Sequence, residues 1–170
     1  TNICDAFQTS VVFKSLYLGW HMPSYTKKLD KTLFLFIERD SIENAASLLQ
    51  IRKKYFGDIN KWASIKPLEY DKLKEKDAYT QVMGQVKYLN NSYKKQLDSI
   101  PEKNKLLLSY DALCHNPEAV LEKVIAKLQN FGLQHSMVSP PPCSFDKRLI
   151  KKNDEFKRLE TAFINFEKNN

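Results

Sequence analysis

Glycine is scarce in this chain. Only Gly19, Gly57, Gly84 and Gly132 occur in 170 residues, and none is clustered as a loop that cradles phosphate through successive backbone N–H groups would require. Cysteine is scarcer still. Cys4, Cys114 and Cys143 are odd in number and widely spaced, which excludes a disulfide scaffold and the paired spacings of zinc or redox motifs, and fits reduced thiols in a cytoplasmic, reducing compartment. No apolar run approaches the roughly 20 residues of a membrane span; the longest, Thr32 to Ile37, is strand-sized. No His, Cys and carboxylate cluster has metal-ligand spacing, and no repeat is visible. The sequence opens at Thr1 without Met and without a basic, apolar leader, so its true N-terminus is left open.

What is present is the material of one domain spanning residues 1–170. A hydrophobic content of 42% is enough for a core at this length. The formal charge of +7 fits a polyanionic partner, whether nucleic acid, nucleotide or acidic glycan, and equally fits a solvated basic surface. The distribution argues against nucleic acid. Lysines are spread over all segments, and the aromatics fall at helical core spacing instead of alternating with basic residues on one face.

Ser10–Lys14 and Thr32–Glu38 are short, apolar and rich in β-branched or aromatic residues, and read as buried strands. Lys105–Tyr110 reads as a third, although its leucines also suit a helix. A helix is predicted from Asp40 or Ser41, with Asp40 and Glu43 as a capping box, to a stop at Gly57. A second follows the spacing of Tyr79, Val82, Met83, Val86, Leu89, Tyr93 and Leu97. Asn116 and Pro117 open a third that ends before Gly132, and Phe156, Leu159, Phe163 and Phe166 mark a fourth. Ser139–Cys143, with three consecutive prolines, is a stiff connector. Continuous apolar strands separated by helices point to the α/β class, a parallel sheet covered by helices on both faces.

The stretch from Phe34 to Arg52 carries the chemistry, because a strand runs there through a charged turn into a capped helix. In open α/β sheets ligands bind beyond the carboxyl ends of strands, where helix N-termini favour anions. Arg39 stands at the strand end. Ser47 lies about 9 Å along the helix axis from Ser41. A guanidinium folded over the first turns reaches a phosphate shared with that hydroxyl; the alternative is that Arg39 pairs with Asp40 or Glu43 and Ser47 faces a neighbour.

This stretch resembles the sulfotransferases that use 3′-phosphoadenosine 5′-phosphosulfate, whose pattern is a strand ending in Arg, then Asp or Asn, then a helix with Ser at the position of Ser47. The resemblance implies that Arg39 and Ser47 bind the donor's 3′-phosphate. Three further matches follow in the family's order. Val11–Ser15 is similar to the strand whose Lys lies near the transferring sulfuryl group, which assigns that role to Lys14. Trp62, Lys66, Pro67 and Tyr70, with Gln81 and Gln85, look like a subgroup of bacterial carbohydrate-modifying enzymes. Tyr110, Asp111, Leu113, Asn116, Pro117 and Glu118 stand in the family's Tyr-Glu-Asp-Leu and Asn-Pro-Glu segments.

The resemblance implies a P-loop NTPase-like sulfotransferase fold that lacks its N-terminal strand and glycine-rich phosphosulfate loop, so this chain is expected to be the C-terminal part of a longer enzyme, with little activity alone. Cytosolic members carry a His where this chain has Leu16. His21, His115 or a carboxylate outside this sequence is then the candidate base. Arg148, in the basic run after the prolines, would close over the 3′-phosphate as late basic residues do in related enzymes. Trp62 would stack on a sugar ring with Lys66 and Tyr70 beside it to meet an acidic group, unless Trp62 packs the edge of the core. The reaction would be in-line sulfuryl transfer to a hydroxyl, placed on a saccharide by that subgroup's chemistry, with no metal, no nucleic-acid partner and no membrane span in the visible chain. The rival readings are a non-catalytic basic nucleotide-, glycan- or nucleic-acid-binding domain and a kinase-like P-loop enzyme fragment.

Overall fold

The periodic stretch from Tyr79 to Leu97 forms the longest helix and the axis of the molecule. The computed structural model describes residues 3–7, 9–29, 31–133, 135–137, 139–147 and 152–169. In chain order they form α1 (Ile3–Phe7), a 3-10 turn at Tyr17–Trp20, α2 (Met22–Lys28), β1 (Phe34–Glu38), α3 (Ser41–Phe56), α4 (Tyr70–Leu73) and α5 (Ala78–Asp98). A 3-10 turn at Glu102–Asn104 leads into β2 (Lys105–Ser109), followed by α6 (Tyr110–His115), α7 (Pro117–Gln129) and α8 (Asp154–Asn169).

Helix α5 begins where the Asp77 carboxylate accepts from the backbone N–H groups of Tyr79 and Thr80, satisfying donors that a helix start leaves open. Its first half buries Val82, Met83 and Val86 against Ala45 and Leu49 of α3 and Leu159 and Ala162 of α8. Its second half buries Leu89, Tyr93 and Leu97 against Met22, Ile65 and Ile100, with Phe34 and Phe36 of β1 packed alongside. One helix thus joins two clusters, and fully burying each leucine contributes about 1.5–3 kcal/mol before entropy is counted.

The boundaries of α3 follow its sequence signals. Asp40 caps its N-terminus by accepting from the Glu43 N–H at 2.9 Å, and Gly57, at φ 66°, closes its C-terminus in the left-handed conformation that glycine adopts without a steric penalty. Only half of the expected capping box forms. The Glu43 carboxylate turns away from the Asp40 N–H and joins two cations described below.

The class is α/β, mostly helical, with a small sheet in which β1 and β2 pair in parallel from Phe34 opposite Lys105 to Glu38 opposite Ser109. One expectation fails here and another holds only in part. Ser10–Lys14 is not a strand: residues 10–15 have no regular structure, and Val12 is 90% exposed. Its β-branched and aromatic residues favour a pleated chain, but a strand exists only with a ladder partner, and none of the described residues supplies one. The segment is fastened further on, where the Tyr93 hydroxyl donates to the Leu16 carbonyl at 2.9 Å. Gly19 then lies so close to the Tyr93 ring that a Cβ would stand 2.6 Å from its carbons. Burial pushes the Tyr93 hydroxyl pKa up to about 12.

Cover on the second face of the sheet is partial: α7 packs against β2, where Leu108 is buried, while β1 is left open. Phe34 and Phe36 point to α5, whereas Leu35 and Ile37, on the opposite face by strand alternation, are exposed, Ile37 by 46%. No described element covers them. No helix among the described residues is long and apolar enough to cross a membrane.

Candidate functional site

The parallel register sets two strand ends side by side. Glu38 lies opposite Ser109, so the next residues, Arg39 and Tyr110, emerge together at the carboxyl edge of the sheet, beside the N-terminus of α3. The Arg39 guanidinium lies 4.6 Å from the Tyr110 ring centre, within the range of a cation–π contact. Its Nε donates to Glu43 Oε2 at 3.4 Å, while Nη1 and Nη2 make no hydrogen bond among the described residues. Lys147, arriving after the proline connector, bridges Glu43 Oε1 at 3.0 Å and Asp111 Oδ1 at 2.7 Å. The connector is held close by the Phe145 N–H, which donates to the Cys114 carbonyl at 2.8 Å.

Two cations and two carboxylates therefore balance at this edge. The hydrogen bond from Lys147 holds the Asp111 carboxyl below its ordinary range, and Asp111 followed by Glu43 pushes the Lys147 ammonium above its own. The Tyr110 hydroxyl is raised first by its hydrogen bond with Cys114 and then by burial. An incoming oxyanion would find the outer fork of Arg39 uncommitted and the Lys147 ammonium nearby, with Glu43 as the competitor it must displace.

The residues singled out in the sequence are distributed unevenly around this edge. Arg39 is there, paired with Glu43, one of the two arrangements its position allowed. Ser47 is half-buried one turn beyond Glu43 on α3, with no hydrogen bond to Arg39. Lys14 is exposed on the irregular 10–15 segment, and His21, also exposed, joins the first 3-10 turn to α2. Among the described residues neither has a hydrogen bond or ion pair with the Arg39 cluster. His115 is engaged locally, its Nδ1 2.8 Å from the Asp111 carbonyl. Arg148 lies outside the described residues.

A second group forms in the segment between α3 and α5. Trp62 and Tyr70 meet edge-to-face with ring centres 4.7 Å apart, and the Lys66 ammonium sits 3.9 Å from the Tyr70 ring centre. Behind them stands Arg52, fully buried, its guanidinium carbon 5.1 Å from the Trp62 ring centre. Arg52 Nη1 donates to the Ile59 carbonyl at 3.0 Å and to Gln81 Oε1 at 2.8 Å; Nε and Nη2 have no hydrogen-bond partner among the described residues. Burial lowers its pKa, and the negative face of Trp62 stands where a carboxylate would otherwise be needed. Arg52 is the site residue that sequence reasoning passed over. Its signal was available: Ala45, Leu49 and Arg52 repeat at helical spacing on the apolar face of α3.

Two glutamines of α5 complete the group. Gln81 Nε2 donates to the carbonyls of Lys74 and Lys76. Gln85 Nε2 donates to the carbonyls of Ala63 and Ile65, at 2.9 and 2.7 Å. Between those two carbonyls, Ser64 has φ 67°, a left-handed conformation that costs a residue bearing a Cβ roughly 1–2 kcal/mol.

Among the described residues no group of three or more His, Cys, Asp or Glu is arranged to hold a metal ion. Neither a family model, nor a curated protein, nor a solved structure matches the chain.

Proposed function

We propose that the carboxyl edge of the sheet binds the 3′-phosphate of 3′-phosphoadenosine 5′-phosphosulfate, and that the chain serves a cytoplasmic sulfotransferase acting on a hydroxyl, the acceptor being a saccharide with an acidic group. The observation that carries this is the meeting of Arg39, with its outer fork uncommitted, and Lys147 at the mouth of a parallel sheet beside the N-terminus of α3. Ligand recognition at that position follows from strand direction and helix polarity together. Glu43 is the resting partner that keeps both cations neutralised until the phosphate takes its place. Ser47, farther along the same helix, supplies a directional hydroxyl to that phosphate, and Arg148 belongs to the same basic segment as Lys147.

In the reaction, the acceptor oxygen attacks sulfur as the bond from sulfur to the bridging phosphate oxygen breaks, and adenosine 3′,5′-bisphosphate departs with that electron pair. The acceptor's proton passes to a base, for which His21 is a candidate. Lys14 would offset charge on the moving sulfuryl group. Trp62, Lys66 and Tyr70 form the acceptor side. Tyr70 and Trp62 provide ring surface, and the Lys66 ammonium, which has no carboxylate partner among the described residues, meets the acidic group. The thiols of Cys114 and Cys143 suit a reducing compartment.

Calorimetric titration with adenosine 3′,5′-bisphosphate and with adenosine 5′-monophosphate tests the assignment. A phosphate held by charge-assisted hydrogen bonds is worth about 1.5–3 kcal/mol, so the bisphosphate should bind roughly 10–150-fold more tightly. Equal affinities, or no binding of either by a chain whose circular dichroism shows it folded, would overturn it.

A further inference from the structure

Gln85 combines features that core packing alone does not call for. It is completely buried, it uses both donors of one amide on the carbonyls of Ala63 and Ile65, and it leaves its own Oε1 without a partner among the described residues. The backbone it grips is the one that turns through a left-handed serine. An apolar side chain above an ordinary turn would avoid both the unpaired oxygen and the strain. Strain and unsatisfied polarity that persist together need a surrounding structure that over-determines them, and such places cluster at functional sites.

The turn determines what the loop displays. Ala63 and Ile65 are drawn into the core, while Ser64 between them and Lys66 after them face solvent. Reversing the chain at Ser64 also sets Trp62 between Arg52 and Tyr70, and brings Lys66 over the outer ring of that pair. Arg52 and Gln81 hold the two flanks of the same loop, at Ile59 on one side and at Lys74 and Lys76 on the other. We propose that Gln85 is a positioning residue for the acceptor surface: its amide, acting through the Ser64 turn, fixes Trp62, Lys66 and Tyr70 in one arrangement before an acidic saccharide arrives. This rests on the reading of that surface as the acceptor side. Preorganisation of this kind lowers the ordering needed on binding, so its loss weakens saccharide binding and leaves the nucleotide edge untouched.

Two variants test it from opposite directions. Gln85→Met removes the clamp at similar volume, and Ser64→Gly removes the strain while leaving the buried amide in place. Glycine accepts φ 67° freely, so Ser64→Gly keeps the turn with its clamp in place. The probe is a uronate-bearing tetrasaccharide prepared from hyaluronan, titrated beside adenosine 3′,5′-bisphosphate. Gln85→Met should bind the tetrasaccharide about tenfold more weakly, with an unchanged nucleotide affinity showing that it is folded, and Ser64→Gly should bind both as the natural chain does. In the free protein, backbone nuclear magnetic relaxation should show residues 62–66 rigid in the natural chain and in Ser64→Gly and loosened in Gln85→Met. Unchanged tetrasaccharide affinity or an equally rigid loop in Gln85→Met overturns the positioning role. Failure of the natural chain to bind the tetrasaccharide would overturn the acceptor reading and with it this role, and the relaxation data would still show separately whether Gln85 orders the loop.

Discussion

Gln81→Leu is expected to lower the free energy of unfolding by about 3–5 kcal/mol, measured from the urea midpoint at constant m. The substitution removes the only side-chain acceptor that Arg52 has among the described residues, a bond of 2.8 Å inside the core, and leaves the charge where it was. A hydrogen bond to a charged group is worth about 1.5–3 kcal/mol, and the carbonyls of Lys74 and Lys76 lose their donor as well. Since domains of this size are stable by only about 5–15 kcal/mol, the loss is a large fraction of the whole. The origin of the loss is a charge left short of partners, so removing the charge should return part of it. Gln81→Leu with Arg52→Met is therefore expected to be more stable than Gln81→Leu alone, a coupling that a cavity explanation does not produce. A cost under about 1 kcal/mol for the single variant, or a double variant no better than the single, would show that Arg52 is held by something other than Gln81.

The second large effect is expected at Arg39. Arg39→Ala should weaken adenosine 3′,5′-bisphosphate by about 10–150-fold, and Arg39→Lys should recover only part of that, because an ammonium cannot reproduce the planar fork. Glu43 makes a prediction of opposite sign. It neutralises Arg39 and Lys147 in the resting edge, so Glu43→Gln should tighten nucleotide binding while loosening Lys147, and the gain should shrink as salt rises. Titration calorimetry of the three variants reads both effects. An unchanged affinity in Arg39→Ala would remove the guanidinium from the site, and weaker binding in Glu43→Gln would show that Glu43 organises the edge instead of competing for it.

Local signals were legible where they act locally. Asp40, Gly57 and Asn116 mark helix ends through contacts within three or four residues, and the spacing from Tyr79 to Leu97 marks one helix whatever surrounds it. Ser10–Lys14 misled because its composition describes a willingness to be a strand, which becomes a strand only when a partner is present. The leucines before Tyr110 left strand and helix both open, and the pairing with β1 decides between them: Lys105–Ser109 is strand, and the helix waits for Tyr110. In the candidate site, Arg39 stands between the end of β1 and the start of α3, where the strand and cap signals put it. Its partners were hidden because they come from elsewhere: Tyr110 by the register of a parallel pair, and Lys147 by the path of the chain after the prolines. Arg52 was hidden for the same reason, since what makes a buried arginine tolerable is Gln81 and Trp62, neither of them a neighbour in sequence.

The parallel pairing of β1 with β2 also has a consequence for the order of events in folding. All of α3, α4 and α5 lies between the two strands, so their ladder closes a long loop whose entropy must be met before any strand hydrogen bond forms. The packing of α5 on α3 shortens that loop in advance, and Phe36 against Tyr93 then brings β1 to the face where β2 will arrive. The sheet is thus a late product of helix assembly. In kinetic measurements, Leu108→Ala should chiefly speed unfolding, whereas Val82→Ala should slow folding; the reverse pattern would place the strands in the nucleus.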